Sequence, residues 1–160
     1  MISAGLLGSV AIAGEMTTSA APGAAPTAQP VALVAGEASE VAFQTVDNPL
    51  QVSFPVDRAT GSVVVAAPGL SPVAQRPSAL VVRGAADEIL DRQVPVSATA
   101  ERTEGGVSYD GLFSGTVDRF TVSEALLKHD LRLLDRPTFP AGATSLANES
   151  IVELAASQTL

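Results

Sequence analysis

The chain has 160 residues, no cysteine and a formal net charge of −8. That length supports one domain with a modest core, and the lack of cysteine excludes disulfide frameworks, thiol nucleophiles and Cys-ligated metals. The basic residues are scattered singly from Arg58 onward. They leave no patch to track phosphates, so no nucleic-acid partner is expected, and the acidic balance disfavours contact with anionic membranes.

The first third contains Glu15, Glu37, Glu40, Asp47 and Asp57 but no lysine or arginine before Arg58. Residues 17–30 are almost pure Ala, Pro, Thr, Ser and Gly, too poor in large apolar side chains to offset the entropy of ordering. Pro22, Pro26 and Pro30 favour extended backbone. The apolar run at 2–13 lacks a basic n-region and is broken by Ser3, Gly5, Gly8 and Ser9, so it reads as a short anchor for a partner rather than a leader. Residues 1–36 are therefore expected to form an extended arm, held by a neighbouring subunit. A short strand follows Pro30, and Val31, Leu33 and Val34 are the expected partner-binding residues, as in strand addition to a foreign sheet edge.

Residues 37–160 read as a single β-rich domain. Residues 50–56 alternate apolar and polar side chains apart from Pro55, then Asp57-Arg58-Ala59-Thr60-Gly61 leads into Ser62-Val63-Val64-Val65, a hairpin signal. Asp57 is expected to stabilise the turn start through its side chain, and Gly61 to take a positive φ. Pro55 predicts an edge strand, or a position whose missing N–H faces outward. Further strands are predicted at 78–83, 93–99, 106–109 and 116–122. Residues 122–134 are ambiguous, since Leu126, Leu127, Leu131, Leu133 and Leu134 also suit one face of a helix. The last segment is predicted as a short helix capped by Ser145 or Asn148, with Glu149 near its start and Ile151 and Leu154 as its packing residues. The expected fold is mainly β, a small antiparallel barrel or sandwich, with an extended amino-terminal arm and a short carboxy-terminal helix. Aromatic residues are 4% of the chain, so Val, Leu and Ala must fill the core and oligomer contacts are expected to help it.

No catalytic, cofactor or metal site is expected. His129 is the one histidine; it reads as a surface residue beside Asp130, with no nucleophile motif to serve it. In Gly111-Leu112-Phe113-Ser114-Gly115 the serine stands one place too late for a nucleophile elbow. Asp87 and Glu88 read as a solvated turn, since a glycosidase groove would also carry stacking aromatics. Neither a dinucleotide fingerprint nor a calcium loop is present. The Asn148-Glu149-Ser150 sequon is read as a helix cap.

Residues 131–144 run from an apolar strand through Arg136-Pro137-Thr138 into Phe139-Pro140-Ala141-Gly142, followed by the predicted helix at 148–158. Together with the Ala/Pro/Thr-rich arm and the hairpin at 57–61, this resembles the head decoration proteins of tailed phages, of the lambda D type. Phe139 stands where that family usually has tryptophan. The resemblance implies a homotrimeric virion protein on the capsid exterior, bound through its arm to the major capsid protein and stabilising the expanded head. An axial tail, fibre or appendage subunit, and a secreted β-domain binding a carbohydrate or host surface, are the alternatives.

Overall fold

A computed structural model describes residues 31–155, all strands, turns and loops with no helix among the described residues. Eleven strands are formed: β1 (Leu33–Ala35), β2 (Val41–Thr45), β3 (Gln51–Pro55), β4 (Val63–Ala66), β5 (Val73–Gly84), β6 (Ile89–Gln93), β7 (Ala100–Thr103), β8 (Gly106–Asp110), β9 (Thr116–Val122), β10 (Leu127–Leu133) and β11 (Ala143–Leu154). They build a seven-stranded sheet ordered β1-β2-β3-β4-β5-β11, with β6 also on β5, and a four-stranded sheet ordered β10-β9-β8-β7. Every pairing is antiparallel.

The core lies between the sheets, which makes the fold a sandwich. The larger sheet contributes Leu33, Val52, Phe54, Val63, Val65 and Leu80; the smaller contributes Val107, Tyr109, Phe120, Val122, Leu127 and Leu131. Each buried Val, Leu or Phe is worth about 1.5–3 kcal/mol relative to exposure. The expected hairpin at 57–61 is present, with β3 and β4 paired through Val52 and Val65. Asp57 Oδ1 accepts the Ala59 N–H at 3.0 Å, as its turn-forming role predicted. Gly61, in contrast, is not among the glycines of positive φ. It is needed for room, because a Cβ there would sit 2.3 Å from Pro55 Cβ.

Pro55 does not mark an edge, since β3 lies between β2 and β4. It is the last residue of its strand, and the β4 ladder has already stopped at Ser53 opposite Val64. Residues 127–133 resolve as strand rather than helix: Leu127, His129 and Leu131 are buried, while Lys128 and Arg132 are exposed. Only Gln93 of the strand expected at 93–99 belongs to one; Val94 and Val96 are 65% and 55% exposed in the connection to β7.

The larger correction concerns the carboxy-terminal segment. The Phe139–Gly142 turn forms, with Gly142 at φ 85° and the Ala143 N–H donating to Pro140 O at 3.2 Å. Beyond it comes the twelve-residue strand β11 instead of a helix. Ser145 and Asn148 therefore cap nothing, and Ile151 and Leu154 pair across the ladder with Arg76 and Val73. The reason is tertiary. One edge of β5 needs a partner for its N–H and C=O groups along its length, and that demand outweighs a weak helical periodicity. Of the segment read as an arm, residues 1–30 lie outside the described residues. Its end forms β1, which pairs with β2 of the same chain.

Gly106, where β8 starts, allows β8 and β9 to approach closely, since a Cβ there would stand 1.8 Å from the Phe120 carbonyl oxygen. Gly106→Ala must therefore separate two backbones at the centre of the smaller sheet. A loss of more than ~2 kcal/mol is expected in urea unfolding.

Candidate functional site

The chemistry-bearing side chains converge between the sheets. β9 alternates with Thr116, Asp118, Phe120 and Val122 buried, so Asp118 points into the core. β10 is in the same phase with His129, which lies opposite Phe120 in the ladder. Arg58 arrives from the other sheet. After β3 the backbone crosses to the start of β7: the Arg58 N–H donates to Ala98 O at 3.0 Å, and the Ala100 N–H donates to Val56 O at 3.1 Å. This crossing seats the Arg58 side chain in the interior, at 0% exposure.

Arg58 Nε donates to Asp118 Oδ2 at 3.0 Å, and its Nη1 donates to Gln75 O at 2.8 Å. Its Nη2 donates to Gln75 Oε1. The second Asp118 oxygen accepts from His129 Nε2. His129 lies flat against Phe120, with ring centroids 4.3 Å apart and 6° between planes. The Arg58 guanidinium is 5.1 Å from the same ring's centroid. Tyr109 meets Phe120 edge-on at 6.3 Å and donates its hydroxyl to Pro55 O at 2.8 Å. Burial pushes Arg58 below its ordinary value, opposed by the Asp118 charge. Burial likewise pushes the Tyr109 phenol up, with the Arg58 charge opposing it.

A second polar cluster staples the crossing from outside. The Asp57 carboxylate accepts from the Ala59 N–H at 3.0 Å, the Ala98 N–H at 3.2 Å and Ser97 Oγ at 2.9 Å. Partial burial alone would raise this carboxyl, but these three donors together hold it below its ordinary value.

The sequence expectations fare unevenly at the level of position. His129 is buried rather than on the surface, at 6% exposure. Its hydrogen-bond partner is Asp118; among the described residues no serine or threonine hydroxyl bonds to it. Ser114 lies in the β8–β9 turn, where its N–H donates to Gln93 Oε1. Asp87 and Glu88 serve the β5–β6 turn: Asp87 is 3.5 Å from Arg83 Nη1, and Glu88 Oε2 accepts the Ala86 N–H. Leu33 is buried in the chain's own core, Val31 packs against it, and Val34 is 40% exposed. Ile151 is half-buried, and Leu154 is 77% exposed. Among the described residues no group of three or more His, Asp or Glu is placed to hold a metal ion.

Arg58 and Asp118 were missed as a pair. The signal for Asp118 was present, as a lone acid in the inward phase of Thr116, Asp118, Phe120 and Val122. Nothing local marked Arg58, which looks like an ordinary turn residue. Comparison with known protein families, with curated proteins and with solved structures gives no match.

Breaking a buried pair strands a charge, which costs about 3–5 kcal/mol. Asp118→Ala is expected to lose that much in chemical denaturation, while Arg58→Met combined with Asp118→Leu recovers most of it. The Asp57 carboxyl contributes stability that is present above the ordinary aspartate value of ~3.9 and is lost as pH falls through its lower folded value. Asp57→Asn is expected to be less stable than the wild type at pH ~7, with the gap closing below pH ~4 in urea titrations.

Proposed function

We propose that this chain is a structural protein that acts by binding other proteins rather than by catalysis, and that its setting is the outside of an expanded phage capsid. One observation carries the non-catalytic part. The arginine, aspartate and histidine that come together among the described residues, Arg58, Asp118 and His129, are bonded in a chain inside the core, with Arg58 and Asp118 at 0% and 1% exposure. A substrate would have to open the sandwich to reach them.

The capsid setting is supported by the Ala/Pro/Thr-rich segment at 17–30, by the hairpin at 57–61 and by the Phe139–Gly142 turn that follows β10. The terminal helix no longer contributes, because that segment is β11. Under this reading the protein binds the expanded lattice of the major capsid protein in preference to the immature one. It shifts the equilibrium toward expansion by its differential affinity, with no cofactor.

Localisation in particle maps by cryo-electron microscopy tests this reading. Density for the sandwich on the outside of an expanded head is expected, with attachment weakened by deletion of residues 1–30 while the sandwich stays folded by circular dichroism. Density in a tail or filament would replace the capsid reading with the axial one, and undiminished binding of the truncated chain would remove the role of the arm.

A further inference from the structure

The sheet edges differ in how they are protected. β1 is three residues long. β6 carries Asp91 and Arg92, β7 carries Glu101 and Arg102, and β10 carries Lys128, Asp130 and Arg132. Short length and charge, especially lysine, are the usual means of blocking edge-to-edge pairing. β11 has neither. Its twelve residues, Ala-Thr-Ser-Leu-Ala-Asn-Glu-Ser-Ile-Val-Glu-Leu, include no Lys, Arg or Pro. Among the described residues only β5 pairs with it, and its outer edge has no partner strand among them. Val152 and Leu154 on this strand are 55% and 77% exposed.

The direction of the free groups follows from one bond. The Ala155 N–H donates to Pro72 O at 2.8 Å, toward the β5 side. Strand alternation then turns the N–H and C=O of Leu154, Val152, Ser150, Asn148 and Leu146 outward. Their side chains share the face of Leu146, which packs against the core.

We propose that β11 pairs antiparallel with β11 of a second copy of this chain, about a two-fold axis through Ser150, so that the larger sheets of two subunits become continuous. A two-fold axis normal to the sheet keeps each face on its own side, so core-phase residues must oppose core-phase residues. Within that constraint the charges choose the register. Centring on Glu149 sets that carboxylate against its own copy, and centring on Ile151 sets Glu149 against the partner subunit's Glu153; like charges directly opposite are destabilising. Centring on Asn148 runs Val152 onto Thr144, at the register shift between Ala143 and Ser145, and leaves Leu154 without a strand residue opposite.

Centring on Ser150 uses 146–154, where β11 has no extra residue. Leu146 then faces the partner subunit's Leu154, and Asn148 faces the partner subunit's Val152. Glu149 faces the partner subunit's Ile151, and Glu153 the partner subunit's Ala147, so no carboxylates oppose. The outward N–H and C=O groups fall at hydrogen-bonded pairs throughout this register. The two most exposed apolar side chains of the strand are covered. This interface is a dimer, in place of the trimer implied by the decoration-protein resemblance, and it does not rest on the capsid reading.

Sedimentation of the full chain tests it. The wild type is expected to have the mass of two chains, and Val152→Lys and Val152→Pro to halve that mass with an unchanged circular dichroism spectrum. Because the chain has no cysteine, oxidation of Ser150→Cys reports the register directly. A covalent dimer is expected from Ser150→Cys, since facing Cα atoms at ~5.5 Å suit a disulfide, and none from Ser145→Cys. A monomeric or trimeric wild type, or a dimer that persists in Val152→Lys and forms no Ser150→Cys bond, would overturn the proposal.

Discussion

Arg58 reaches across the interior to Asp118, and the sandwich is organised around making that contact tolerable. Taking a guanidinium and a carboxylate out of water costs several kcal/mol per ion, and the pair offsets this only with good geometry and satisfied remaining bonds. Both conditions are met by groups from different elements. Gln75 on β5 accepts from two guanidinium nitrogens, and His129 on β10 occupies the second carboxylate oxygen. Phe120 presents its ring to the cation and to the imidazole.

The same contact specifies register. A one-residue slip of β9 would send Asp118 and Phe120 to the outer face and bring Val117, Arg119 and Thr121 inward. Arg58 would then lose its anion and face a second cation. Apolar patterning alone would penalise that slip less, because Val117 is an acceptable core residue. The polar cluster therefore adds specificity to a core with few large rings. The Asp57 staple serves it by holding the crossing that delivers Arg58.

β5 is the spine of the larger sheet. It pairs with β4 through Val73–Gln75 and with β6 from Leu80 onward, while β11 runs along its other side. Pro77 falls in the gap between the β4 and β6 pairings, where its missing N–H breaks neither ladder. Among the described residues, the Arg58–Asp118–His129 cluster is enclosed and the longest strand at a sheet edge, β11, has a partner on one side only.

Much of the sandwich was legible in the chain. Period-two alternation at 50–56 and 116–122, the Asp57–Gly61 turn, and the glycine and proline punctuation determine the β class and most strands, because these signals are local and set by backbone sterics. The site was half legible: the inward phase of β9 contains Asp118, and that of β10, once read as strand, contains His129. Arg58 was not, because its burial follows from where the chain crosses to β7. The fate of 143–154 was decided only by the tertiary structure. Its composition suits a short amphipathic helix as well as an edge strand, and the unpaired side of β5, a partner distant in sequence, makes the choice.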